Sequence, residues 1–287
     1  MRFVQAYYDI YEQLFITNNE IPTHSQIIEH MYEHIEKCAR TCYKSEDKIT
    51  PGSASSFVRR MILSKHYAML EFGTIYLKIP DIALGFKYLN TTRTWTKCNF
   101  IDENGEKYWA VTTNFRVIIE NNWEDDLVFL CAPTEHHEKR RTIKFTCDIG
   151  VGREFLRHRV FSMAQESTRY CNYCKERFGS ELTFIRPLWL STDIYKDMNE
   201  AEKTYYRSMQ YVEKAYLNLI NEGWKAEEAR NVLPLSTKTE VIMCGFDSDW
   251  KHFFDLRADG ITGKPHPQAQ ELAQPLKEKF IENGWYP

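Results

Sequence analysis

Residues 157–169 read RHRVFSMAQESTR, a stretch that gathers Arg157, Arg159 and Arg169, His158, and the hydroxyls of Ser162, Ser167 and Thr168 around a single acid, Glu166. The chain that carries it is acidic overall, with 37 Lys and Arg against 40 Asp and Glu and a net charge of −3. A guanidinium offers a rigid fork of donors that matches phosphate bidentately, and hydroxyls add donors to the same oxygens. A local cationic cluster in such a chain points to a small anionic ligand held in a pocket. A nucleic-acid groove would show a wider basic stripe.

Working outward, the sequence changes character on either side of this stretch. From about 73 to 149 the segments GTIYLKI, TRTWTKCNF, KYWAVTT, DLVFLCA and TIKFTCDI are rich in β-branched and aromatic residues and read as strands. Asn104-Gly105 between two of them is a hairpin signal, and Pro80 and the basic run EHHEKRR (135–141) mark connections, the latter read as a solvated turn. Helix is expected again from about 151. Its longest member is placed at 193–222, where Ile194, Met198, Ala201, Tyr205, Met209, Val212, Tyr216 and Leu219 recur every three to four residues and Gly223 fits the position after the cap. KAEEARNVL is a short helix ended by Pro234, TKTEVIMCG a strand, DWKHFFDLR a helix, and 267–283 a final helix closed by Gly284.

On the N-terminal side, residues 23–44 form a helix. Thr23 and Gln26 have capping-box spacing, and Ile27, Ile28, Met31, Ile35, Ala39 and Cys42 trace one face. His30 and His34 stand one turn apart but lack the glutamate of a zinc-protease motif, so they read as solvated surface residues. KITPGSASS (48–56) is a loop, followed by a helix through SFVRRMILSKH.

With 287 residues, no internal repeat and no linker, these elements predict one α+β domain. A mixed or antiparallel sheet is packed by helices, with long amphipathic helices in the C-terminal half and a β-rich middle. No apolar run approaches the roughly 18 residues of a membrane span, and Asp9 and Glu12 sit where a signal peptide needs an apolar core. A cytoplasmic protein with eight reduced cysteines is the expectation. The lone Cys171/Cys174 pair has no partner pair at metal-ligand spacing, so no metal is assigned. Cys38 and Cys42, one helical turn apart, read as small packing residues. Dinucleotide, P-loop and nucleophile-elbow motifs are missing, so arginines and hydroxyls must hold any nucleotide. Arg230 and Arg257 supply two further guanidiniums, each also readable as a surface ion pair.

Arg157-His158-Arg159 followed by seven residues and Ser167, then Arg169-Tyr170, resembles the signature of flavin-dependent thymidylate synthases. ARTCYKS (39–45), GWKAEEARNVLP (223–234) and FFDLRADG (253–260) agree with that family in order. The resemblance covers roughly residues 35–72 and 142–275 and leaves about 73–141 as a β-rich insertion in a single domain spanning 1–287. It implies transfer of a one-carbon unit from methylenetetrahydrofolate to carbon 5 of dUMP, giving dTMP, with FAD mediating reduction and NADPH as hydride source. It also implies a homotetramer whose sites lie between subunits, with no nucleic-acid or membrane partner.

By the same resemblance Arg157, His158 and Arg159 contact FAD, joined by Gln165, Phe246, Asp247, Ser248 and His252. Substrate dUMP falls to Glu154, Arg157, Gln165, Glu166, Ser167, Thr168, Arg169 and Arg230. Arg257 matches the arginine that activates the uracil ring, and no protein nucleophile is required. Ser167 has no histidine at a spacing that would mark a base, so it is assigned to nucleotide binding. The chain departs from the family where Ala164-Gln165 replace Asn-Glu, with Glu166 adjacent to compensate for the lost carboxylate. Further departures are Ala68, where a hydroxyl follows His66 by two residues, Phe72 in place of a frequent histidine, and Glu154 in place of glutamine. Ala68, Ala164 and Gln165 motivate an alternative, a non-catalytic nucleotide-binding or regulatory relative.

Overall fold

The longest ladder in the molecule joins strand β6 (Arg140–Asp148) to β9 (Lys238–Phe246), antiparallel from Arg140↔Phe246 to Asp148↔Lys238. The computed structural model describes residues 1–15, 22–91, 95–103, 105–175, 179–191 and 198–286. β2 (Tyr7–Tyr11) and β7 (Ser162–Gln165) complete a four-stranded antiparallel sheet in the order β2-β6-β9-β7. Alternation along β9 sends successive side chains to opposite faces. Val241 and Met243 join Phe145, Phe155, Trp250, Phe253 and Phe280 in one core. Ile242 and Cys244 join Met31, Ile35 and Cys38 in the other.

The first of these cores is built by helices α5 (Ile149–Phe155), α8 (Asp247–Arg257) and α9 (Pro267–Glu282). The second is capped by α1 (His24–Arg40), whose Thr23/Gln26 capping box forms as expected. That second core also takes in the three-stranded sheet β3-β5-β4, formed by β3 (Thr74–Ile79), β4 (Lys97–Glu103) and β5 (Glu106–Asn114). The expected insertion therefore shares its hydrophobic core with α1. A third, smaller core sets α6 (Glu200–Asn221) against a parallel pair, β1 (Arg2–Val4) and β8 (Thr183–Ile185). The fold is the expected α+β domain, with three small sheets that are mostly antiparallel.

Several expectations are corrected. DLVFLCA is not a strand: residues 124–129 form a 3-10 turn whose Asp126 receives the Tyr88 hydroxyl and the Lys87 ammonium, leaving only a single bridge, Leu77↔Leu130. Two short helices, α3 (Ile82–Leu89) and α4 (Phe115–Asn121), interrupt the middle because Asp81 and Asn114 cap them by accepting from the Leu84 and Val117 amides. The run EHHEKRR is not simply a solvated turn. His137 is buried against the Leu77 carbonyl, and Arg140 opens β6 with its guanidinium buried against Ser162, Thr74 and the Glu71 carbonyl. The loop at 48–56 is shorter than expected, since α2 (Ser53–Leu63) begins within it.

The long helix starts at Glu200, where Asn199 and Glu202 make a capping box; residues 192–197 of the expected span lie outside the described residues. Asn104 lies outside them too, although β4 and β5 do pair as a hairpin and Gly105 has φ +82°. α2 is followed by the 3-10 turn Tyr67–Phe72, and α7 (Ala226–Ala229) by another at 230–232. No helix among the described residues is long and apolar enough to cross a membrane.

His34 is the other correction. It is buried, with Nε2 beside the Thr142 hydroxyl at 3.1 Å, because it faces the sheet on the same side of α1 as Met31 and Cys38. Burial, with Lys37 and Arg140 nearby, pushes its imidazole down to about 3. An unfolded chain binds the proton near 6.5, so between those values the unfolded state holds more protons. This contribution to stability is complete above pH 6.5 and is lost as pH falls towards 3. Chemical denaturation of His34→Gln is therefore expected to show a shallower acid decline than wild type; parallel declines would contradict it. A second prediction concerns Gly85, where an added Cβ would lie 1.9 Å from the Trp109 ring. Gly85→Ala should cost about 1–3 kcal/mol in a denaturant titration, the usual penalty of overpacking.

Candidate active site

α5 organises the site. Its N-cap, Asp148, accepts from the Val151 amide at 2.7 Å and from Gln268 at 2.8 Å. Gly152 lets the helix lie close to the sheet: a Cβ there would be 3.3 Å from Gln165 Nε2, Thr239 and Val241. The next two residues, Arg153 and Glu154, then face different parts of the site.

Glu154 reaches Arg257, the last residue of α8. Arg257 Nη1 donates to Glu154 Oε2 at 2.5 Å, Nη2 to the Glu154 carbonyl at 3.0 Å, and Nε to His158 Nε2 at 3.1 Å. His158 is buried against Phe253, and burial, then Arg257 and His252, push its imidazole down to about 4. It is therefore a neutral acceptor at pH 7. Burial lowers the Arg257 guanidinium from its ordinary value while Glu154 holds it charged. The aspartates flanking Arg257 in sequence are engaged elsewhere, Asp255 by Lys251 and Asp259 by Lys277. Arg257 is thus not the surface ion pair that its neighbours suggest.

Arg153 faces a cavity of about 420 Å³ together with Gln165, Thr168, Arg230 and Thr239. Gln165 also donates to Thr239 Oγ1 at 3.3 Å. The turn after β7 is tied to the ARTCYKS segment, since the Ser167 amide donates to the Cys42 carbonyl at 2.9 Å. Two segments far apart in sequence therefore meet here.

Glu166 sits beside Gln165 but on the opposite face, as alternation along an extended chain requires. Its buried carboxylate accepts from Lys238 at 2.9 Å and from the Tyr173 hydroxyl at 3.0 Å. Lys238 also pairs with Glu240, which pairs in turn with Lys44, each at 2.8 Å. Burial opposes ionisation of Glu240, but Lys238 and Lys44 outweigh it and hold the carboxyl down at about 2. The Glu166 carboxylate is thus committed to this network and does not replace the one lost at Gln165.

The remaining expected residues are scattered. Arg169 donates to Glu227 at 2.8 Å on the surface, over the Tyr170 ring. Arg157 and Arg159 are exposed on either side of His158 and make no ion pair among the described residues. His252 is exposed, its ring 6.2 Å from that of His158. Phe246, Asp247 and Ser248 lie at the other end of α8, about 15 Å from Arg257 by helix rise. Phe246 is buried beneath Lys97, Asp247 binds Arg141, and Ser248 accepts from Lys97. Sequence reasoning missed Arg153, Lys238, Glu240 and Lys44. The spacing of Lys238 and Glu240 on one face of a strand was the available signal; Arg153 offered none beyond its charge.

Residues 131–283 match the family model described as "Thymidylate synthase complementing protein". The chain is 30% identical over 187 residues to a probable flavin-dependent thymidylate synthase of Paramecium bursaria Chlorella virus 1, covering 61% of this chain and 83% of that protein. It is 33% identical over 181 residues to the flavin-dependent thymidylate synthase of Pyrococcus furiosus, covering 61% and 70%. Among solved structures, a UMP/dUMP methylase, PolB from Streptomyces cacaoi bound with 5-Br dUMP, aligns over 98% of this chain and 93% of its own. That alignment has 14% identity and a TM-score of 0.45. The matched span contains α5, β7, β9 and α8, and on that basis the chain belongs to the thymidylate synthase complementing protein family, whose relatives here are flavin-dependent thymidylate synthases.

Proposed function

We propose that this chain methylates dUMP to dTMP, taking its one-carbon unit from methylenetetrahydrofolate and its reducing equivalents from NADPH through FAD. One observation carries the reading: α5 turns Arg153 towards the Gln165, Thr168 and Arg230 cavity while the adjacent Glu154 fixes Arg257. The nucleotide's anionic end would sit in that cavity, whose lining carries the Arg153 and Arg230 guanidiniums.

Arg257 is effectively always protonated and is no ordinary general acid. Its role is electrostatic. Held by Glu154 and His158, it stabilises the negative charge that develops on the pyrimidine as carbon 5 becomes nucleophilic. Neutral His158 accepts a hydrogen bond and orients the guanidinium without adding a competing charge. Arg157 and Arg159, exposed and without ion pairs among the described residues, fit the pyrophosphate of FAD. Bound flavin supplies the two-electron relay that takes the transferred carbon from methylene to methyl.

The chemistry needs no thiol. Burial pushes the Cys38, Cys42, Cys98, Cys131, Cys147 and Cys174 thiols up from their ordinary value, and no cysteine lines the cavity. A homotetramer with sites shared between subunits belongs to the same reading. Residues 73–141 act as an insertion within one domain. The competing reading, nucleotide binding without turnover, draws on Ala68 and on the carboxylate missing at Gln165.

Purified protein is expected to be yellow and to form dTMP from dUMP, methylenetetrahydrofolate and NADPH. Flavin-replete protein that forms none would overturn the enzymatic reading in favour of its competitor. Arg257→Ala should lower turnover by about 10²–10³-fold, the scale for removing a preorganised donor, while visible absorbance shows flavin retained. Turnover near wild type would remove the role given to Arg257.

A further inference from the structure

Four cations of the site already have an anion. Arg257 is held by Glu154, Arg169 by Glu227, Lys238 by Glu166 and Glu240, and Lys44 by Glu240. Arg153 and Arg230 differ: neither makes an ion pair among the described residues, and both line the same cavity. The acid in that lining, Glu166, has its carboxylate bound to Lys238 and Tyr173. Glu227, within electrostatic range of Arg230, is itself paired with Arg169, so among the described residues the cavity wall carries two guanidiniums with no ion-pair partner of their own.

From this we infer that Arg153 is a second phosphate ligand, reaching the nucleotide's phosphate from α5 while Arg230 reaches it from the 3-10 turn at 230–232. The inference rests on the reading of this cavity as the dUMP site. Position supports the role. Gly152 seats α5 against Gln165 and Thr239, so the Arg153 backbone is fixed relative to the nucleotide-binding turn. The helix start is also tied to the segment after Pro234 that lines the cavity, since the Ile149 amide donates to the Thr237 carbonyl and the Gly150 amide to the Leu235 carbonyl. A phosphate monoester carries close to two negative charges at pH 7, and two guanidinium forks match them in charge and geometry. At about 420 Å³ the cavity lies within the range for small-molecule sites. A purely solvated Arg153 would contribute nothing to nucleotide affinity, which separates the two roles by experiment.

The test compares the wild-type holoenzyme with Arg153→Ala and Arg153→Lys. Steady-state kinetics give KM for dUMP and for methylenetetrahydrofolate, and calorimetry gives affinities for dUMP and for 2′-deoxyuridine, which lacks the phosphate. Arg153→Ala should raise KM and Kd for dUMP about 10- to 100-fold, the scale of a hydrogen bond to a charged group. Arg153→Lys should recover part of that loss, and neither variant should move the affinity for 2′-deoxyuridine. A dUMP affinity within twofold of wild type in Arg153→Ala overturns the inference while the functional reading stands. So does a loss that falls on the folate instead of dUMP. If wild type binds another nucleoside monophosphate in place of dUMP, and Arg153→Ala loses that one, the phosphate seat stands and the functional reading falls. If wild type binds no nucleoside monophosphate, both fall.

Discussion

The antiparallel pairing of β6 with β9 is the constraint on which the rest of the molecule is hung. Both strands are buried on both faces, so each alternate residue is assigned to one of two cores. α5 leaves the end of β6 directly, α8 leaves the end of β9 directly, and β7 pairs along β9 to deliver the turn at 166–171. Glu154, Arg257 and Gln165 therefore descend from one ladder. A register slip of one residue would reverse every side chain in it and turn Gln165 away from Thr239 and α5.

That alternation also decides the electrostatics. On one face Gln165 and Thr239 meet α5 and the cavity. On the other, Glu166, Lys238, Glu240 and Lys44 form a chain of charges that is largely out of water. Burying charge costs several kcal/mol per ion unless partners compensate, and here each buried carboxylate has an ammonium within 2.9 Å. The network is self-neutralising and leaves the arginines of the opposite face to find other anions. Arg257 finds Glu154. Arg153 and Arg230 make no ion pair among the described residues, which suits the cavity they line to an anion that arrives from solution.

Much of this was legible in the residues. The capping box at Thr23, the strands at 74–79, 106–114 and 238–246, the strand from Thr142 onward, and the helix ending at Arg257 all follow from local periodicity and caps. The misreadings share one cause. DLVFLCA carries strand-type residues, yet Asp126 is drawn to Tyr88 and Lys87 on α3. His34 looks like half of a solvated pair, yet its face of α1 lies on the sheet. Arg140 belongs by sequence to a basic run and by structure to a buried strand end. In each case a contact tens of residues away overrides the local pattern.

The sequence by itself determined the α+β class, the clustered guanidiniums and their spacing, and through these the family. Such properties depend on residue type and near-neighbour geometry, which a linear chain fixes. Only the tertiary structure decided which carboxylate neutralises which cation: Glu154 and Arg257 are 103 residues apart, and Glu166 and Lys238 are 72 apart. Hydrogen bonds and close ion pairs act over about 3 Å, so these partnerships exist only once β6, β7 and β9 have aligned. The same alignment set Glu166 apart from Gln165 and left Arg153 facing the cavity with no ion pair among the described residues.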